Sequence, residues 1–115
     1  MNKLTLIKNK NSFNIFHANT WLLRLRGLLG RKLNINEGML IEPCNSIHTF
    51  WMQYDLDIVF LNKENKIIKI VENIKPWRLS ACNKANKTLE FPSGTLSTSN
   101  FKEGDLLIFQ KVNHR

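Results

Sequence analysis

Apolar residues recur in short bursts along this chain, and polar turn residues separate them at intervals of roughly ten. Residues 4–7 and 13–16 read as two short strands with residues 8–11 turning between them, and Phe13 and Ile15 share one face. Residues 39–41 follow Asn36-Glu37-Gly38, and residues 47–52 follow Pro43-Cys44-Asn45-Ser46. Residues 58–61 and 67–71 flank a five-residue polar loop of ordinary hairpin length. A longer irregular stretch, 72–86, contains Pro76 and Trp77. The last strands are expected at 88–91 and 106–110, each beside a glycine turn.

One segment breaks this rhythm. Over residues 20–29, Trp21, Leu22, Leu25, Leu28 and Leu29 fall in one arc at helical spacing, with Leu23 outside it. Asn19 or Thr20 can cap the start, and Gly30 is placed to end the helix. The pattern predicts an α+β fold: a compact, mostly antiparallel, barrel-like or two-layer sheet with one short helix near 20–29. Residues 1–115 form a single domain on this reading.

Composition changes little. Apolar residues make up 43% and charged residues 23%, ordinary globular usage that argues against disorder. Uninterrupted apolar runs such as 58–61 are far short of the roughly twenty residues a membrane-spanning helix needs. The N-terminus assembles neither an apolar stretch of signal-peptide length nor a small-residue cleavage site, so the chain is expected to be cytoplasmic. Cys44 and Cys82 are too few for a disulfide scaffold. The fifteen asparagines and twelve lysines read as compositional bias, without functional weight.

Charge adds a polarity. Residues 1–36 carry seven basic side chains and no acid, whereas the remainder has ten basic and nine acidic. Arg24 and Arg31 lie on one flank of the predicted helix and Arg26 on the other. With Lys32 they outline a basic face that Lys3, Lys8 and Lys10 can extend. Such a face serves solubility alone on one reading, and on the other fits an anionic partner: nucleic acid, an anionic surface, an acidic protein or a small anionic ligand. Nucleic acid is disfavoured, because the aromatics sit mostly inside apolar strands instead of alternating with basic residues. Arg26 or Arg31 is instead expected to turn inward toward Asp57, Glu37 or Glu90.

Several strings occur in an ordered set: Arg26-Gly27-Leu28-Leu29-Gly30-Arg31, Asn36-Glu37-Gly38-Met39-Leu40, His48-Thr49-Phe50-Trp51-Met52, Leu56-Asp57-Ile58-Val59-Phe60-Leu61, Leu89-Glu90 and Glu103-Gly104-Asp105. From about Asn19 to Ile108 the chain resembles domain of unknown function 192, in the type that reads Cys-x-x-Ile-His-Thr before the Phe/Trp-Met pair. Leu29 stands where methionine is usual and Asp55 where proline is common. The resemblance implies a small, mostly antiparallel, barrel-like α+β fold and implies no reaction.

Candidate chemistry concentrates after residue 43. A polar pocket is expected from His48, Trp51 and Asp57, with Trp77 and Arg78 at its rim. Cys44, His48 and Cys82 supply soft donors that suit zinc, or a thiol enzyme, if they converge. The other reading of His48 is a structural histidine. Asp55 and Asp57 lie two apart and point the same way, as a cation-binding or acid–base pair would. Asp57 also suits a structural anchor that accepts backbone or arginine hydrogen bonds. Core packing is the expectation for Trp51, while Trp77 in its loop is open to exposure. No cofactor motif is evident, and the leading reading is a non-catalytic binding or accessory module.

Overall fold

The computed structural model describes residues 2–19 and 32–112. Among them lie nine strands and one four-residue helix: β1 (Asn2–Lys8), β2 (Asn11–Ala18), β3 (Glu37–Ile41), β4 (Ser46–His48), β5 (Leu56–Leu61), β6 (Ile67–Ile74), β7 (Leu79–Ala81), β8 (Lys87–Pro92), α1 (Thr95–Thr98) and β9 (Phe109–Lys111). The helix expected over 20–29, with Arg24, Arg26 and Arg31, lies outside the described residues. Seven strands form one sheet in the order β6-β5-β8-β3-β2-β1-β9, and β4 pairs with β7 in a separate antiparallel ribbon. The sheet is mixed, because β2 and β3 run parallel.

The expected barrel-like closure is not reached. Edge strands β6 and β9 do not pair with each other. They are linked through the segment before β9, where Lys66 bridges Leu106 and Ile67 N–H donates to the Asp105 carbonyl at 2.8 Å.

The sheet is covered on both faces, which explains why its central strands carry near-continuous apolar runs instead of alternating, with Asp57 and Glu90 as buried exceptions. All six residues of β5 are buried. Val59 and Leu61 join Phe13, Ile15, Leu40, Leu89 and Phe91 in one apolar cluster, which Leu96 of α1, Phe101 and Leu107 close. Leu56, Ile58 and Phe60 point the other way, to Phe16, Met39, Ile41, Leu33 and Ile47. Gly38 is fixed by this packing: a Cβ there would lie 2.7 Å from the Phe91 ring and 2.9 Å from Ile15. Position 38 therefore needs glycine for close approach within the sheet, not for a left-handed backbone.

The asparagine bias has a structural use. Among the described residues, seven non-glycine residues have positive φ, and five are asparagines: Asn9, Asn36, Asn65, Asn73 and Asn100. Asparagine tolerates the left-handed region better than most side chains, so it makes these turns cheaply. The other two are Trp51 and Trp77.

Candidate functional site

Both tryptophans flank one buried residue, Thr49, which is fully shielded from solvent. Alternation with Ile47 carries Thr49 inward, and a threonine so placed must satisfy its hydroxyl within the protein. Its Oγ1 donates to the Lys75 carbonyl at 2.6 Å and accepts from Arg78 N–H at 2.9 Å. Its own N–H donates to the Arg78 carbonyl, and its carbonyl accepts from Trp77 N–H at 3.0 Å and Met52 N–H at 3.2 Å. These bonds end β4 at His48 and tie the 49–52 turn to the 75–78 turn. The strand expected over 47–52 is thus cut short. Trp51, at φ 69°, points outward and is 69% exposed, which corrects the core role expected of it.

Trp77, at φ 65°, is 52% exposed. Four rings pack in a row on this surface. His48 lies 4.8 Å from Phe50, Phe50 stacks on Trp77 at 5.6 Å and 25°, and Trp51 meets Trp77 edge-on at 4.6 Å. His48 Nδ1 accepts from Phe50 N–H at 3.3 Å, which steadies the first ring. Arg78 Nη1 reaches the Pro76 and Trp77 carbonyls at 3.4 Å. Lys75 is held by Asp55 at 3.7 Å, and Leu79 is 73% exposed beside Arg78. The structure thus groups four of the expected pocket residues, His48, Trp51, Trp77 and Arg78. Phe50 and Thr49 complete the group. Strand alternation places Thr49 on the face opposite His48, but the partners of its hydroxyl lie in a loop twenty-six and more residues away.

Asp57 stands apart from this group. It is 1% exposed, and its carboxylate receives three backbone donors: Asn73 N–H at 2.9 Å, and Gly94 and Leu96 N–H at 3.0 Å each. No arginine of the described residues joins it. It anchors the chain where β6 ends and α1 begins, beside a cavity of about 400 Å³ whose lining includes Phe13, Ile35, Ser93 and Thr95. Asp55 turns to Lys75 instead, so the two aspartates do not act as a pair. Glu37 accepts from Asn34 N–H at 2.8 Å and serves its own turn.

Glu90 differs from all of these. It sits between Met39 of β3 and Ile58 of β5, and among the described residues its carboxyl has no hydrogen-bonding partner. Burial pushes its pKa up to about 7. Burial likewise raises the Tyr54 phenol, against a lowering hydrogen bond from the Leu33 backbone, and the Glu90 charge raises it further. Of the basic face, Lys32 places its ammonium 5.9 Å from the Tyr54 ring and Lys3 lies 5.7 Å from Phe16. Lys8 is paired with Asp105 at 3.0 Å, which holds that carboxyl below its usual range.

Cys44 and Cys82 are both free and half-buried. Cys44 Sγ donates to the Ser46 carbonyl at 3.1 Å. Among the described residues, no three His, Cys, Asp or Glu side chains are grouped to hold a metal ion, so Cys44, His48 and Cys82 do not form one donor cluster.

Residues 4–109 match the family DUF192, described as "Uncharacterized ACR". The chain belongs to the DUF192 family. A UPF0127 protein of Thermococcus kodakarensis is 32% identical over 105 residues, covering 85% of this chain and 66% of the relative. A UPF0127 protein of Thermococcus gammatolerans is 27% identical over 114 residues, covering 89% and 73%. The DUF192 chain thus spans about two thirds of the first relative's length. Among solved structures, a Sinorhizobium meliloti protein described as a candidate transcription regulator superposes with a TM-score of 0.81 at 21% identity, covering 94% of this chain and 92% of its own. A Novosphingobium aromaticivorans protein of unknown function gives 0.76 at 22%, covering 92% and 83%. At these identities the likeness concerns the fold alone. Among the described residues, no helix of this DUF192 member is long and apolar enough to cross a membrane.

Proposed function

We propose that this chain is a non-catalytic binding module whose binding surface is the aromatic row His48, Phe50, Trp77 and Trp51. One observation carries the reading: two tryptophans, each more than half exposed, are held at positive φ by the bonds of a buried threonine. A left-handed backbone costs a bulky residue on the order of 1–3 kcal/mol, and such strain clusters at functional sites. Exposed indoles gain little by burial to offset that cost, so their use lies in what they touch from outside.

The partner that fits is a protein segment presenting apolar side chains beside acidic ones. Phe50 already packs against His48 and Trp77, which favours apolar contact along the row over stacking of a base on that ring. Lys75 and Arg78 border the row and complement acidic groups.

Tryptophan emission of the full chain, read against three probes, tests this. The probes are an acidic, proline-containing synthetic peptide set, a neutral oligosaccharide and a single-stranded oligonucleotide. A shift with the acidic peptides that weakens with salt and is lost in Trp77→Asn is expected. A shift with only the oligosaccharide or oligonucleotide, or a peptide response retained in Trp77→Asn, overturns the reading.

A further inference from the structure

Strand β1 begins where β2 and β9 end, so one corner of the sheet gathers residues from three strands. The antiparallel register sets Asn2 beside His17 and Leu4 beside Lys111. Cross-strand partners share a face, as do residues two apart on a strand, so these four lie on one side of the sheet. His17 and Lys111 flank β1 from opposite neighbours. An open cleft of about 600 Å³ lies at this corner, lined by the same four with Lys3, Asn19 and Val112. That volume falls in the ordinary range for small-molecule sites.

The cleft is electrostatically one-sided. Its lining carries three basic side chains and no acid. Among the described residues, neither Lys3 nor Lys111 is paired with a carboxylate. Lys3 holds its ammonium 5.7 Å from the Phe16 ring and adds to the local field, which leaves Lys111 and His17 to clasp a ligand. His17 is fixed from behind: its Nε2 lies 2.5 Å from Glu42 Oε1, and Lys87 Nζ meets the other Glu42 oxygen at 3.8 Å. Lys87 and His17 therefore share the Glu42 charge, which reduces its opposition to an anion. With Nε2 given to Glu42, Nδ1 of His17 has no protein partner among the described residues and is left for a ligand.

We propose that this cleft binds a small organic phosphomonoester. Cations reaching in from two strands suit the divergent oxygens of a phosphoryl group better than the plane of a carboxylate. Asn2 and Asn19 offer amides to ester or hydroxyl oxygens, and Leu4 and Val112 give the organic part an apolar wall. The site shares no residue with the aromatic row and stands independently of it.

Calorimetric titration of the full chain with glycerol phosphate at low salt tests this, beside succinate and phosphatidic acid vesicles. Glycerol phosphate should bind one to one, more tightly than succinate, and more weakly as salt rises. Lys111→Gln should weaken it by about tenfold or more, as loss of a charged hydrogen bond does. Lys84→Gln removes the same charge at an exposed position outside the cleft and should change affinity by less than about twofold. His17→Phe keeps a ring without its nitrogens and should weaken binding as Lys111→Gln does. No heat with glycerol phosphate, succinate binding as tightly, equal losses in the two lysine variants, or binding to the vesicles alone each overturns the proposal. The two lysine variants decide it even if His17→Phe fails to fold.

Discussion

Two turns in this molecule are built on the same plan and filled with opposite residues. In each, one buried polar side chain gathers backbone groups from distant segments and fixes two residues at positive φ. Asp57 binds Asn73 and Gly94, at φ 55° and 94°. Thr49 holds Trp77 directly and Trp51 within the turn it closes, at φ 65° and 69°. Asparagine and glycine adopt that conformation at little cost, so the Asp57 turn is a stability device. Tryptophan does not, and at Thr49 it leaves both rings in solvent. On the proposed reading, the difference separates a turn shaped for folding from one shaped for contact.

The largest effect is expected at the first turn. Asp57→Ala strands three backbone donors and should cost about 3–5 kcal/mol in urea unfolding. A loss below about 1 kcal/mol would mean the turn holds itself.

Glu90 comes next, as a buried carboxyl that lacks, among the described residues, the donors Asp57 has. Its folded pKa of about 7 stands above the ordinary 4.5. The folded state therefore holds the proton more tightly. The stability this gives is fully present below about pH 4.5 and is lost as pH rises through about 7. Glu90→Gln should remove that slope and add up to about 3 kcal/mol at pH 8. An unchanged pH–stability profile would contradict it.

Thr49→Val keeps the shape and deletes the hydroxyl shared by Lys75 and Arg78. A cost of about 1–3 kcal/mol is expected, with a loss of near-ultraviolet ellipticity as the ring row loosens. An unaltered near-ultraviolet spectrum would show that the rings order themselves.

Most strands were legible because short apolar bursts between turn residues are direct signals of a sheet. What failed was long-range. β7 (Leu79–Ala81) carries one strong apolar residue, Leu79, which faces solvent, so nothing local marks it as a strand. Helix α1 follows Gly94 in a run of threonines and serines, and the buried Leu96 and the Asp57 carboxylate stabilise it from outside. Trp51 was misplaced because strand alternation was continued past His48, where Thr49's bonds to residues 75–78 end it. The asparagines illustrate the reverse: a bias that looked idle supplies most of the left-handed positions among the described residues. At the site, His48, Trp51, Trp77 and Arg78 were named from residue type and lie on one surface, while Asp57 lies apart from them as a backbone anchor, a role that looks like a pocket wall in sequence.

The most direct measurement replaces both tryptophans by the residue this chain uses elsewhere at positive φ. In the Trp51→Asn/Trp77→Asn variant, thermal unfolding and acidic-peptide binding are read on the same sample. Stability unchanged or raised by up to about 1 kcal/mol, with binding lost, is the predicted result. A clear drop in stability with binding retained would show that the tryptophans serve the fold, and would contradict the account.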